Sequence, residues 1–288
     1  MNFTNGAELV SLCERNGSTV AREMLARESE LSGLPEEKLR ARMAESYGVM
    51  KQAVQRSLRQ VSDTMGGLIG GEAQKLYLHR QTGRSVCGPI LSRAVTYAMG
   101  TLEVSASMGL IVAAPTAGSA GVIPGVFLAV QEEFGFSDGQ MVDALFHAGA
   151  VGYLIMRNAT ISGAEGGCQA EVGSAGAMAA SAVAALMGEK PARTLDAAAL
   201  ALGNVIGLVC DPIGGLVEAP CQSRNAMGAA NALVAAELVL SGVPCIVPFD
   251  EMVEVMYRTG RSLPSELRET ALGGCAAAPS ACSRCAGC

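Results

Sequence analysis

SAGAMAASAVAALM, residues 174–187, is a helix-length run in which alanine, glycine and serine surround a few larger apolar side chains. Alanine has the highest helix propensity and leaves no bulk to hold a neighbouring element away. The run carries no charge, so it reads as a helix enclosed on all sides. Comparable segments flank it. Residues 137–156 open on a Ser137-Asp138 cap, residues 195–209 are again rich in alanine, and residues 225–240 end at Ser241-Gly242. Gly, Pro and Asn separate such runs from about Tyr77 to Gly273, with no sustained period-two alternation and no strand–helix repeat. The pattern predicts an all-α fold: one large helical domain with small-residue helix packing and Gly/Pro-rich loops.

Composition supports this. Of 288 residues, 50% are hydrophobic but 4% are aromatic, Trp is absent and Gly numbers 35, so the interior must be built from small side chains. A chain of this length buries roughly three quarters of its unfolded surface, and this apolar content sets disorder aside. With 17% charged residues and a net charge of −6, it lacks the clustered basic face that nucleic acid requires.

No charge occurs between Glu103 and Glu132, a stretch longer than the roughly 20 residues of a membrane span. Pro115, Pro124 and four glycines interrupt it and no Trp or Tyr anchors its ends, so the expectation is a buried loop-and-helix region and no membrane. Glu8 and Glu14 stand where a signal peptide would have its apolar run, which points to the cytoplasm. Residues 7–27 place apolar side chains at helical spacing and predict one helix. After a break at Ser32-Gly33, Pro35-Glu36-Glu37 opens a second helix running to about Val61. Residues 1–65 are therefore expected to form a helical arm packed on a catalytic domain of residues 66–288.

Ten cysteines carry the chemical interest. Cys168 lies in SGAEGGCQAEVG, residues 162–173, Cys210 in CDPIGGLV, residues 210–217, and Cys221 follows Pro220. A cysteine between glycines and an Ala-rich helix sits where backbone N–H groups favour thiolate, so a lowered pKa is expected for Cys168. Three such thiols on irregular backbone suit a metal or cluster with one open position; inert buried cysteines are the alternative. AAPTAGSAGVIPG, residues 113–125, is either a plain Gly-rich turn or a loop whose amides close on an anion. The tail holds Cys275, Cys282, Cys285 and Cys288; it has neither a His partner for zinc nor a ferredoxin Cys-Pro, and a tail that supplies one ligand is the economical reading. His147 sits mid-helix among Phe146, Ala148 and Gly149, a core position by default. None of Lys38, Lys51, Lys75 and Lys190 has a pocket context for a Schiff base, so pyridoxal phosphate is not expected.

Residues 113–125, 162–173 and 210–217 together resemble the iron–sulfur L-serine dehydratases, in particular the α chain of the two-subunit form, over nearly the whole chain. The resemblance implies an oxygen-labile [4Fe-4S] cluster held by Cys168, Cys210 and Cys221, with L-serine as substrate and pyruvate and ammonia as products. It implies a fourth ligand from the tail, where Cys282 is best placed and Cys285 and Cys288 are rivals. Thr116, Gly118, Ser119, Ala120 and Gly121 would hold the substrate carboxylate, and Ser119, His147 and Glu165 are candidates for the proton-transfer group. A Ser-Ser-His-Thr segment bordering the site in relatives is missing here, which implies a β chain as partner. A cysteine desulfidase or another amino-acid lyase on the same scaffold is the alternative activity.

Overall fold

The glycine at position 17 decides how the chain begins. In the computed structural model, which describes residues 2–283 without the side chain of Cys282, Gly17 takes the left-handed conformation at φ 57° and ends helix α1 (Gly6–Asn16). Thr19 then caps α2 (Val20–Ser32), accepting from the Arg22 N–H. The single helix expected over residues 7–27 is therefore two, because apolar spacing continues through a residue whose backbone stops the helix. Helix α3 (Glu36–Arg59) starts beside Pro35, and Leu9, Cys13, Val20, Met24, Leu25, Tyr47, Met50 and Val54 join the same apolar core as the rest of the chain.

Ten more helices follow: α4 (Glu72–Gln81), α5 (Gly88–Ala106), α6 (Val122–Phe134), α7 (Asp138–Asn158), α8 (Gly163–Gly166), α9 (Ser174–Leu186), α10 (Pro191–Gly203), α11 (Cys221–Leu240), α12 (Phe249–Ser262) and α13 (Pro279–Cys282). The fold is all-α, and the one β-bridge among the described residues joins Cys210 to Arg268. No helix among them is long and apolar enough to cross a membrane; the uncharged stretch between Glu103 and Glu132 divides into the end of α5, a loop and α6.

Helix α9 lies at the centre and packs against α6, α7, α10 and α11, with every residue from Ser174 to Ala184 buried. A helix enclosed on all faces must present small side chains to several neighbours at once, and its alanines do so. Glycine sets the closest approaches. A Cβ on Gly125 in α6 would stand 2.7 Å from the Ala94 carbonyl oxygen of α5, and one on Gly228 in α11 would stand 2.5 Å from Val172 Cγ1. Ser137 and Gln140 cap α7 reciprocally, as the Ser137-Asp138 start suggests.

The Gly125 contact is against backbone, which cannot rotate away. Gly125→Ala is expected to lower the unfolding free energy by about 1–3 kcal/mol through overpacking of α5 on α6. Denaturant titration measures this, and an unchanged midpoint would contradict the close approach.

Candidate active site

The site begins at a residue whose role is structural. Gln169 is fully buried and bonds in three directions: its Oε1 accepts from Gly207 N at 2.8 Å, and its Nε2 donates to Gly166 O at 2.9 Å and Met256 O at 3.0 Å. Its own N–H donates to Leu208 O at 3.0 Å. These bonds fasten the turn carrying Cys168 to the segment leading into Cys210. Gly167, at φ 76°, completes the join, since a Cβ there would meet Leu208 O at 2.7 Å.

Cys210 is held from the other side by the chain beyond α12. Its N–H donates to Leu267 O at 2.9 Å and its carbonyl accepts from Glu269 N at 2.7 Å. Cys221 opens α11, and one turn later Asn225 ties the site together. Asn225 Nδ2 donates to Cys221 O at 2.9 Å and to Gly118 O at 2.7 Å, while its Oδ1 accepts from Gly121 N at 2.9 Å. Within the loop, Thr116 and Ser119 form a reciprocal cap. The N–H groups of Ala117 and Gly118 have no partner among the described residues, and Ala117 is exposed.

The loop and the cysteines meet at Glu171. Its Oε1 accepts from Thr116 Oγ1 at 2.8 Å, and its Oε2 lies 4.0 Å from Cys210 Sγ. A Cβ on Gly163 would fall 2.7 Å from Glu171 Oε2 and 3.0 Å from Cys210 Sγ, and one on Gly118 would fall 3.2 Å from Glu171 Oε1. The three Gly-rich segments of the sequence thus converge on one point.

Cys168, Cys210 and Cys221 are all buried and free. Burial pushes the Cys168 thiol up to about 11 against the pull of Arg224, and pushes Cys221 up to about 12, with Cys168 next in effect. Cys210 is raised furthest, by burial and then by the charges of Cys168, Glu171, Glu269 and Cys221. The lowered pKa expected for Cys168 is therefore wrong: removal from water outweighs the amides and the guanidinium nearby. Arg224 pairs with Asp211 Oδ1 at 2.6 Å and donates to Val209 O at 2.8 Å; the two side chains are 14% and 2% exposed. Asp211 Oδ2 accepts from Cys275 N at 2.6 Å, which brings the start of the tail to the same place.

Among known proteins, a family model described as serine dehydratase alpha chain matches residues 15–276. The chain is 46% identical over 277 residues to the probable L-serine dehydratase, alpha chain, of Bacillus subtilis, covering 96% of this chain and 92% of that one. It is 42% identical over 269 residues to the L-serine dehydratase, alpha chain, of Peptoniphilus asaccharolyticus, covering 93% and 92%. The chain belongs to the serine dehydratase alpha chain family. It is also 33% identical over 283 residues to the L-serine dehydratase TdcG of Escherichia coli, where it spans 62% of that longer protein.

The expected carboxylate-binding residues, Thr116, Gly118, Ser119, Ala120 and Gly121, form a loop linked to Cys221 through Asn225 and to Cys210 through Glu171. Gly121 N–H is already taken by Asn225, while Ser119 is buried against Thr116. Glu165 is exposed and accepts the Thr160 hydroxyl at 2.6 Å. His147 is buried and bonds Ser181 Oγ at 2.8 Å, two turns along α9 from its start. Cys285 and Cys288 lie outside the described residues, as does the Cys282 side chain. Glu171, Arg224 and Asn225 were not singled out from sequence, although each falls three or four residues after a cysteine, the spacing of one helical turn.

Burial holds the His147 imidazole down to about 3, so it stays neutral where the unfolded chain takes up a proton. Stability is then expected to fall as pH drops from about 6.5 toward 3, by about 1.4 kcal/mol per unit from this group. His147→Gln, which keeps a partner for Ser181, removes that share of the slope in denaturant titrations across this range. An unchanged slope would contradict a buried neutral imidazole.

Proposed function

We propose that this chain is the catalytic subunit of a two-chain L-serine dehydratase, converting L-serine to pyruvate and ammonia, and that Cys168, Cys210 and Cys221 hold a [4Fe-4S] cluster. The observation that carries this reading is the meeting of three buried, unbridged thiols with an open amide loop, in a chain 42–46% identical to named alpha chains.

The donor set fits such a group. Thiolates are the ligands of iron–sulfur clusters, and thiols raised by burial give up their protons when a metal replaces them. Among the described residues no three His, Cys, Asp or Glu side chains surround a point closely enough for a single ion. The three thiols lie near enough to act on one another's charge, Cys168 on both Cys210 and Cys221, and that proximity is what a polynuclear centre needs. When bound, a cluster with three cysteine ligands supplies a Lewis-acidic iron for the β-hydroxyl of serine.

The protein's own residues do the rest. The free N–H groups of Ala117 and Gly118, at the head of a turn fixed by Thr116, Ser119 and Asn225, face the substrate carboxylate. Arg224 places positive charge beside Cys168, and Asp211 and Val209 O hold that guanidinium in place. Ser119 and Glu165 remain candidates for proton transfer, Ser119 through the loop itself. Cys282, with Cys285 and Cys288 as rivals, is the proposed tail ligand. A companion beta chain would complete the site, in keeping with the longer single-chain relative.

Each of Cys168→Ala, Cys210→Ala and Cys221→Ala is expected to abolish bound iron, the visible chromophore and serine turnover in anaerobically prepared protein co-expressed with its partner chain. Full iron content in any one of them would remove that residue from the ligand set. Turnover of L-cysteine in preference to L-serine would favour a desulfidase instead.

A further inference from the structure

Among the described residues the Glu171 carboxylate has no counter-ion. Glu171 sits in the π-helical turn Gln169–Gly173 that leads into α9, with Ala170 and Val172 turned into the core on either side. Widened turns of this kind redirect a side chain that a regular helix would bury or expose. The groups that act on Glu171 are burial, the Thr116 hydroxyl and the negative charge of Glu269; no cation is among them. The guanidinium of Arg224 is committed to Asp211 and Val209 O, and Arg268, joined to Cys210 by a β-bridge, is not among the groups that act on Glu171. A mostly buried carboxylate with acidic neighbours is costly to keep charged, and the cost is removed when a cation arrives.

We infer that Glu171 receives the α-ammonium group of the substrate and thereby selects an amino acid over the corresponding hydroxy acid, an assignment that rests on the dehydratase reading above. An α-amino acid carries its carboxylate and ammonium on one carbon, so their partners must lie side by side. Gly118 meets this condition. Its N–H is one of the two free donors of the loop, and a Cβ placed on it would stand 3.2 Å from Glu171 Oε1. Gly163 keeps the other edge of the carboxylate clear of side-chain bulk, beside Cys210. A zwitterion held between Gly118 and Glu171 has its β-carbon free to turn toward the three sulfurs. A ligand lacking the ammonium group leaves the carboxylate enclosed with no positive partner, which is how a site rejects an analogue missing one polar group.

The test compares L-serine with 3-hydroxypropanoate, which has the same hydroxyl and carboxylate but no ammonium. It uses the anaerobically loaded wild-type complex and Glu171→Gln, with iron content measured in both. Glu171→Gln is expected to raise KM for L-serine by about 10- to 100-fold while the inhibition constant of 3-hydroxypropanoate stays level or falls. Parallel weakening of both ligands would show that Glu171 merely props the loop, and no change in either would show that it has no role; both results overturn the assignment. Glu171→Asp keeps the charge and is the second variant, measured in case the amide loses iron. It should retain preference for serine, and equal affinities in it overturn the assignment as well. Absence of serine turnover in the loaded wild-type complex overturns the dehydratase reading and this assignment together, whereas parallel weakening or no change in Glu171→Gln, with wild-type serine turnover intact, overturns only the latter.

Discussion

Three thiols and a carboxylate share one enclosed place, and that crowding is the constraint on which the rest of the structure depends. As anions they would repel one another across a medium of low dielectric, so without a partner the thiols stay protonated, as their raised pKa values express. The arrangement has a physical purpose only if positive charge enters it. Iron would do so for the sulfurs, Arg224 does so in part beside Cys168, and a substrate ammonium would do so for Glu171. A site of this kind is built for its contents more than for stability.

Holding these groups together requires three separate chain segments to approach closely, and the small-residue architecture makes that possible. Alanine along α9 lets four helices close around it, while glycine at 121, 125 and 228 brings α5, α6, α11 and the Cys168 turn within backbone distance. Gln169 and Asn225 then convert proximity into register. One links the Cys168 turn to the chain entering Cys210, and the other links Cys221 to the amide loop. Each makes three of its four possible side-chain hydrogen bonds, all to backbone, which makes them rigid connectors and not movable side chains.

Much of this was legible in the residues themselves. The Ala-rich runs predicted helices that the structure contains, because small uncharged side chains at helical length leave few other solutions. Gly- and Pro-rich contexts singled out Cys168, Cys210 and Cys221 for the same reason: irregular backbone is costly to bury and is kept where it has work to do. The failures are equally physical. The break at Gly17 was hidden because apolar spacing passes through it unchanged. The raised Cys168 pKa is not legible in the sequence because local amides are visible there and burial is not. Glu171 and Arg224 went unweighted because their meaning comes from partners dozens of residues away, Thr116 in one case and Asp211 in the other. His147 attracted interest as a rare titratable group, yet its ring satisfies Ser181 inside the core.

Mössbauer spectroscopy of the anaerobically iron-loaded complex, with and without L-serine, tests the central claim most directly. A [4Fe-4S] centre on three protein sulfurs should show one iron site that changes when serine is added while the other three hold their parameters. A spectrum with no cluster, or one in which serine leaves every iron site untouched, would contradict the account.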